Sequence, residues 1–530
     1  MVGPRRLAAV VAAGAIALAA CGGGNTAEPD EGGTTGAPAA TTGEAGTSGA
    51  TAGEGPAGEP GGTLRYASST EPSRFDVHRS SNGYDQMWFA PVYERLVHQT
   101  PEAELEPGLA LEWEYTDDTT FVMTLREGVS FHDGAPFDAE AVKANIERAK
   151  TVEGSGLANY LASIDTVEVL DEFEVQVNLS QPDATLPFQF ATRPGMMLSP
   201  EAFENPDLDE APVGTGPFEL VEYTRGDRAV YRRIDDHWDP DYAQVDQLEI
   251  FYMPDSVTRI NALRSGQVDA APLDSSQVSE AESAGLQVEI SDSLEVYHFQ
   301  MDRSKSEFGD TLVRQALNHA VDREAIVEGL LFGYGQPTSQ WVPEGTPFYN
   351  DEYGPGYYEY DPERARELLA EAGLPDGFTF SAMVSTNPVF VRFGEILKEQ
   401  FAEVGVQMDL RQEQQLADAF FVRNDADAIV SPYPGRVDPT ETAQIYFNDE
   451  SFSNPGRQVT PTVKEAYFEA LVPGDDRPER VEQLSGQIVE DALGVPVLFP
   501  QVALASSDSV SGLTWYLSGH IEFDGVTVDQ

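Results

Sequence analysis

The sequence predicts an α/β protein built from at least two lobes. Strands and helices alternate through the second half of the chain, which argues for a largely parallel sheet flanked by helices. From Gly61 to Gln530 the composition is globular over about 470 residues, more than one hydrophobic core usually supports. No segment beyond the N-terminus is long and apolar enough to cross a bilayer, and no fixed-period repeat is present.

Taken in order, the chain opens with Arg5 and Arg6, followed by the uncharged run Leu7 to Ala20. That run is too short to span a membrane, which takes about 20 apolar residues, and it fits the core of a secretory signal. It ends Leu18-Ala19-Ala20-Cys21-Gly22, which resembles a bacterial lipobox, with cleavage after residue 20 and a lipid on Cys21. The alternative is an ordinary signal with an accidental cysteine. Cys21 is the only cysteine, so no internal disulfide staples the fold. Two acyl chains at Cys21 would give stable anchoring. Residues 22–60 contain no aromatic, Leu, Ile, Val, Lys or Arg. Such a stretch cannot offset its ordering entropy and reads, with Cys21, as a flexible tether over 21–60.

Within the globular part, Phe121, Met123 and Leu125 alternate with Thr120, Val122 and Thr124, the pattern of a half-buried strand. An Asp133-Gly134 turn follows. Asp138 then caps a helix with Val142, Ile146 and Ala149 inward and Arg148 and Lys150 in its last turn. Residues 294–301 read as another strand. Asp310 caps a helix with Val313, Ala316, Leu317 and Ala320 on its inner face. Asp322 starts the next, with Ile326, Val327, Leu330 and Leu331, ending at Gly333. In 361–373, Asp361 is the cap, Pro362 the first helical residue and Gly373 the terminator, with Leu368, Leu369 and Ala372 on one face. A strand at 378–384, a helix at 389–404 closed by Gly405, a strand at 406–410, a short helix near 415–423 and a strand at 427–430 complete the pattern. In open α/β sheets, ligands sit beyond the carboxyl ends of the strands. The loop after 427–430, Ser431-Pro432-Tyr433-Pro434-Gly435-Arg436-Val437-Asp438-Pro439, is therefore the first place to look for a site.

The chain carries 90 acidic and 32 basic residues, a net charge of −58. Phosphate contacts need a basic face, so nucleic-acid binding is disfavoured. The acids are spread along the chain, which favours a strongly hydrated surface suited to a salty exterior over a cleft tuned to cations. The seven histidines, His78, His98, His132, His237, His298, His319 and His520, show no i, i+4 metal spacing. CxxC, HExxH, GxSxG and Walker motifs are absent. A glycosidase needs only two carboxylates, so counting acids alone does not exclude one. No metal and no cofactor is expected.

Several segments resemble the peptide/nickel/opine family of bacterial solute-binding proteins, family 5. LREGVSFHDGAPFDAEAVKANIERA within 121–150 is the strongest, with Ala141 where an acid is usual. Pro212 to Phe218 (PVGTGPF), Arg264 to Asp269, Val313 to Arg323, the 361–373 helix and Arg436 to Pro439 follow in order, and together the resemblance covers nearly all of 62–530. It implies a two-lobe, periplasmic-binding-protein-like clam-shell of class II type. The first lobe would be 62–300 plus 500–530, carrying an extra subdomain near 100–210. The second would be 301–499. Hinge crossings are expected near Phe299 to Asp302 and near Phe499 to Val502, and closure around ligand follows. The FHDG and PVGTGPF segments read as fold markers, with Gly214 and Gly216 permitting unusual backbone angles.

The resemblance further implies no enzyme but a capture subunit. It would be an extracytoplasmic monomer held to the outer face of the cell membrane, taking a peptide-like, carboxylate-bearing solute to ABC permease subunits and their ATPase. A signalling receptor, a carrier of chelated nickel and a surface glycosidase are the alternatives. Arg436 is the first candidate ligand contact, since a guanidinium holds a carboxylate by two parallel bonds; its alternative is a pair with Asp438 that orders the loop. Asp438 itself either builds the turn before Pro439 or anchors an ammonium, as an acid in this region does in dipeptide-binding members. Tyr433 stands where many members carry tryptophan. Asn82, Gly83 and Tyr84 form a polar loop where the family often lines its cleft. Phe299 and Met301 flank the first crossing as a cleft floor, and Trp341, near Pro343, completes the set.

Overall fold

The computed structural model describes residues 61–529 apart from 81 and 306, so the signal, lipidated Cys21 and tether readings lie outside the described residues. Two large sheets organise what is described. The first has seven strands, in the order Gln287–Ser291, Val502–Ser506, Ala270–Leu273, Thr63–Ser68, Gln247–Tyr252, Arg228–Arg233 and Phe218–Thr224. Thr63–Ser68 runs parallel to both its neighbours, and the other pairings are antiparallel. Successive residues face opposite sides, as strand pleating requires. Tyr66, Ala270 and Leu504 join a core with Trp88, Phe75 and Tyr231, while Ala67, Ala271 and Ala505 join another with Ile260 and Val278.

The second sheet has six strands: Gly335–Pro337, Val495–Pro500, Val296–Met301, Ala428–Tyr433, Thr379–Val384 and Gln407–Gln412. The expected largely parallel sheet is only partly realised. Thr379–Val384 is parallel to both neighbours, with the helix Pro388–Glu403 as crossover to Gln407–Gln412. The remaining pairs are antiparallel. The cause is connectivity. Val296–Met301 carries the chain into this sheet and Val495–Pro500 carries it out, so the two run in opposite directions. Phe299, Phe308, Phe380 and Phe401 form the centre of its core. At about 1.5–3 kcal/mol for each large apolar side chain removed from water, such clusters dominate the folding energy.

The chain therefore crosses twice between the sheets. The first crossing spans 292–295, a few residues before the expected Phe299–Asp302, and the second passes through Gln501. They are tied together: Gln501 Nε2 donates to Asp292 Oδ1 at 2.9 Å and Ser293 Oγ to the Pro500 carbonyl at 2.7 Å. This is the two-lobe clam-shell, with an extra subdomain in the first lobe. That subdomain is an antiparallel sheet of Ala110–Asp117, Thr120–Leu125, Glu174–Leu179 and Ile164–Asp171, covered by the helix Ala139–Thr151. Phe121, Met123 and Leu125 point into its core.

Local chemistry accounts for the helix ends. Asp138, Asp310, Asp322 and Asp361 each accept from a backbone N–H in the first turn of the helix they precede. The helix Arg323–Leu331 ends one residue earlier than Gly333 suggests, with Phe332 itself in the left-handed region at φ 59°. Near 415–423 the chain forms a π-helical turn, Asp418–Val422. Gly214 and Gly216 are not at positive φ; they are required by close approach. A Cβ at Gly214 would lie 2.1 Å from the Val92 carbonyl oxygen. Among the described residues no helix is long and apolar enough to cross a membrane.

Candidate functional site

A cavity of about 320 Å³ is lined by five parts of the chain. Asn82, Gly83, Tyr84, Gln86 and Gln99 come from the first lobe, Tyr160, Phe188, Thr192 and Arg193 from the inserted subdomain and the segment after it. Leu294 and Glu295 belong to the first crossing. Pro434, Gly435, Arg436, Val437 and Glu441 follow the Ala428–Tyr433 strand, and Ser518, Gly519 and His520 come from the C-terminal segment. The volume lies at the lower end of the range for small-molecule sites, about 300–1,000 Å³. A larger groove of about 990 Å³ lies elsewhere, among His132, Gly216, Arg232, Arg233 and Trp238. It draws no residue from the second lobe, so lobe closure does not shape it. The smaller cavity is the better candidate because both lobes and a crossing contribute to it.

The loop that brings Arg436 here is shorter than expected. Ser431, Pro432 and Tyr433 continue the strand and pair with His298, Tyr297 and Val296. The chain then turns at Gly435, φ 62°, pressed so closely on the first crossing that a Cβ would lie 1.8 Å from the Leu294 carbonyl oxygen. Only glycine fits both constraints. Arg436 Nη1 donates to the Gly435 carbonyl at 2.6 Å, and Nη2 donates to the Tyr160 hydroxyl at 3.3 Å across the cavity. Its Nε lies 3.9 Å from Glu441 Oε1. Burial works against the Arg436 charge, but Tyr433, Tyr160 and Glu441 outweigh it and hold the pKa above its ordinary value.

Two carboxyls in the lining are also raised, which for an acid favours the neutral form. Burial pushes Glu441 up to about 8, with Asp438 and Asp183 adding to the rise against Arg436 and Arg477. Burial also raises Glu295, although a hydrogen bond from the Tyr84 hydroxyl, 2.8 Å to Oε2, favours its charged form. Arg193, 6% exposed, donates through Nη1 to the Ser80 carbonyl at 2.6 Å and the Ser80 Oγ at 3.0 Å. The cavity therefore presents two guanidiniums and phenolic hydroxyls, with the Glu441 carboxyl biased by burial towards its neutral form. Among the described residues no cluster of three His, Cys, Asp or Glu could hold a metal ion.

Of the residues singled out in the sequence, the structure brings Arg436, Asn82, Gly83 and Tyr84 together in this lining. Tyr433 is 2% exposed and stands behind it, 4.5 Å ring to ring from Tyr446, with the Arg436 guanidinium 5.9 Å from its ring centre. Asp438 is fully buried away from the cavity: Oδ1 accepts from Thr440 N at 2.9 Å as a helix cap, and Oδ2 pairs with Arg477 rather than Arg436. Phe299 and Met301 are core residues of the second lobe, and Trp341 packs between His298, Tyr446 and Phe447. None of these three lines the cavity, because Phe299 and Met301 lie beyond the crossing, inside the sheet.

Sequence reasoning passed over Tyr160, Arg193, Glu295, Glu441 and His520. Glu295 had a signal, a charge inside the apolar run 294–301. Glu441 reads as an ordinary acid in a first helical turn, and Arg193 and His520 stand in no pattern at all.

With this geometry in place, comparison with known proteins is informative. The family described as bacterial extracellular solute-binding proteins, family 5 Middle, matches residues 104–454. The glutathione-binding protein GsiB of Salmonella paratyphi A is 32% identical over 339 residues, 63% of this chain and 66% of that protein, so the match spans just under two thirds of its length. Among solved structures, the Agrobacterium binding protein AgaA with agropinic acid superposes with a TM-score of 0.76 at 24% identity, covering 88% of this chain and 99% of that one. DppA of Helicobacter pylori with the peptide STSA gives 0.75 at 22%, covering 89% and 99%. The last two show the fold; the match over 104–454 shows the family, and this chain belongs to the bacterial extracellular solute-binding proteins, family 5.

Proposed function

We propose that this chain is the capture subunit of an ABC importer, closing its two lobes around a peptide or a related small polar solute and delivering it to the permease and its ATPase. The observation that carries the reading is the cavity of about 320 Å³ lined jointly by Arg193 and Tyr84, by Glu295 on the crossing and by Arg436 from the second lobe. In liquid water such a volume corresponds to about ten molecules, room for a solute of dipeptide or tripeptide size. By their descriptions the three relatives bind glutathione, agropinic acid and a peptide, all small polar solutes.

In this reading the first lobe is about 62–300 with 500–530 and carries the subdomain near 100–210, and the second is about 301–499. Arg436, Asn82, Gly83 and Tyr84 touch the solute, with Tyr433 supporting Arg436. The chain works as a monomer outside the cytoplasm, held at the membrane face by lipid on Cys21. The test is a thermal-shift screen of ligand-free protein with dipeptides, tripeptides, glutathione, opines, oligosaccharides and chelated nickel. A solute at 100 times its Kd stabilises by about 2.7 kcal/mol, well within detection. A shift with a peptide or opine supports the reading; no shift across the panel overturns it.

A further inference from the structure

The larger groove, of about 990 Å³, has about three times the volume of the candidate cavity and draws no residue from the second lobe. It is lined by the segment 128–134, between the strand Thr120–Leu125 and the helix Ala139–Thr151, by Thr215 and Gly216, and by the end of the strand Arg228–Arg233 with the segment 234–238. Trp238 is fixed in this lining: it packs on the core of the inserted subdomain, and the Arg126 guanidinium lies 4.0 Å from its ring centre. Five lining residues each carry a buried side-chain polar atom with no hydrogen-bond partner among the described residues: His132 Nδ1, Thr215 Oγ1, Arg233 Nε, His237 Nε2 and Trp238 Nε1. Buried polar atoms in folded proteins are nearly always paired, so their concentration here points to partners supplied from outside the chain. His237 Nε2 lies 3.8 Å from Glu94 Oε1, which leaves four atoms unmet.

The four differ in what they require. Trp238 Nε1 and Arg233 Nε only donate, while the Thr215 hydroxyl donates or accepts. His132 Nε2 is 2.8 Å from the Gly216 carbonyl oxygen, which only accepts, so the ring proton is assigned to Nε2 and Nδ1 is an acceptor. Burial lowers the His132 pKa from its ordinary 6.5, which favours this neutral form. A carboxylate or phosphate would satisfy the donors but not His132, and an ammonium would satisfy His132 but not the donors. A hydroxyl satisfies all four. Both arginines of the lining are already paired: Arg232 Nε donates to Glu219 Oε1 at 2.9 Å and Arg233 Nη2 to Asp246 Oδ1 at 2.9 Å. We propose that this groove is a second binding site, separate from the interlobe cavity, which takes an uncharged oligosaccharide through hydroxyls set against Trp238, Arg233, Thr215 and His132. Each sugar ring carries several closely spaced hydroxyls that both donate and accept, whereas a peptide backbone divides these roles between N–H and C=O. Binding here is independent of lobe closure and of the solute capture proposed above, since the second lobe contributes nothing to the lining.

The experiment pairs calorimetry with small-angle scattering on the full chain. The probes are maltotriose, cellotriose and triacetylchitotriose, with triglycine as the peptide control. At least one sugar is expected to bind without changing the radius of gyration. Trp238→Phe removes the indole N–H and keeps an aromatic ring; Thr215→Val removes the hydroxyl at nearly constant shape. Each should weaken the bound sugar by about tenfold. Thr215→Val should not lower Tm, because the atom it removes has no partner to lose. Thermal unfolding checks that both variants are folded, and they stand on different segments, so a structural failure of one leaves the other to decide. A sugar that binds both variants as tightly as wild type, or that compacts the protein, sits elsewhere and overturns the proposal. Weakened triglycine binding in the variants, with no sugar bound, assigns the groove to peptides and overturns it as well. Failure of all three sugars to bind leaves the groove to water and overturns it too. None of these three results bears on capture of a peptide or opine in the interlobe cavity, which the solute panel above tests separately.

Discussion

Replacing Glu522 by glutamine should destabilise the first lobe far more than a one-atom change suggests. Glu522 lies on the C-terminal strand His520–Glu522, 2% exposed in its side chain, and pairs with Arg95, 3% exposed, more than 400 residues earlier in the chain. Arg95 Nη1 is 2.6 Å from Oε1 and Nη2 donates to Oε2 at 2.8 Å; His520 Nε2 sits 2.6 Å from Oε1. Burial alone would raise the Glu522 pKa, but Arg95 and His520 overcome it and hold the carboxyl far below its ordinary value of 4.5. Removing one partner of a buried pair leaves the other charge stranded, at about 3–5 kcal/mol. Glutamine keeps one acceptor, so about 3 kcal/mol is expected. For a lobe of this size that lowers Tm by about 6–12 °C.

Calorimetry across pH checks the origin of the loss. A folded-state pKa depressed below the unfolded value contributes stability that is fully present above the unfolded pKa and is lost as pH falls below it. The gap in Tm between wild type and Glu522→Gln should therefore be constant near neutrality and narrow below about pH 4.5. Replacing both partners, Arg95→Met with Glu522→Leu, should recover most of the stability, since no charge is left buried. A loss below about 1 kcal/mol, or a gap indifferent to pH, would show that water reaches Arg95 and refute the argument.

Three further outcomes follow from the same physics. Gly214→Ala should cost about 1–3 kcal/mol in denaturant unfolding, because its Cβ would meet the Val92 carbonyl oxygen at 2.1 Å, whereas Gly83→Ala, with nothing within 4 Å, should not change stability measurably. Glu441, pushed up to about 8 among Arg436, Asp438, Asp183 and Arg477, binds a proton in the folded state that the unfolded chain releases above 4.5. Wild-type stability should therefore fall as pH rises from 4.5 towards 8, and Glu441→Gln should flatten that slope in pH-dependent unfolding. With a net charge of −58, raising NaCl from about 0.1 to 1 M shortens the screening length from about 10 to about 3 Å and should raise Tm; a fall would mean that repulsion between surface acids is not what limits stability.

What the sequence shows plainly is local. Asp138, Asp310, Asp322 and Asp361 announce their helices because the cap and the N–H it satisfies are two or three residues apart. Phe121, Met123 and Leu125 announce a strand because one face is buried and the other is not. The second sheet is parallel only where strands and helices alternate along the chain, because Val296–Met301 pairs with strands about 130 and 200 residues away and runs antiparallel to both. The same long-range pairing extends the Ala428–Tyr433 strand past the point where Pro432 and Pro434 suggest a loop. A proline in a strand is tolerated where its missing N–H is not needed, and nothing local reveals where that holds.

The site follows the same division. Arg436 was legible because a guanidinium, an aromatic and a carboxylate crowd a proline-stiffened loop at a strand end. What that crowding concealed was the separation of roles. Asp438, the obvious partner two residues away, turns into the protein to cap a helix and hold Arg477, and this leaves Arg436 facing the cavity. Had Asp438 paired with Arg436, the cavity would have lost its cation to an internal salt bridge. Gly435, pressed against the Leu294 carbonyl, sets the direction of that turn, so the residue that orients the candidate ligand contact has no side chain to suggest it. Arg193 was invisible for a complementary reason: it shares a cavity lining with Arg436, 243 positions away in the numbering, and only the folded chain brings the two to one cavity. In a two-lobe protein the groups that make up the site are divided between lobes by necessity, since a site complete on one lobe would bind without closing.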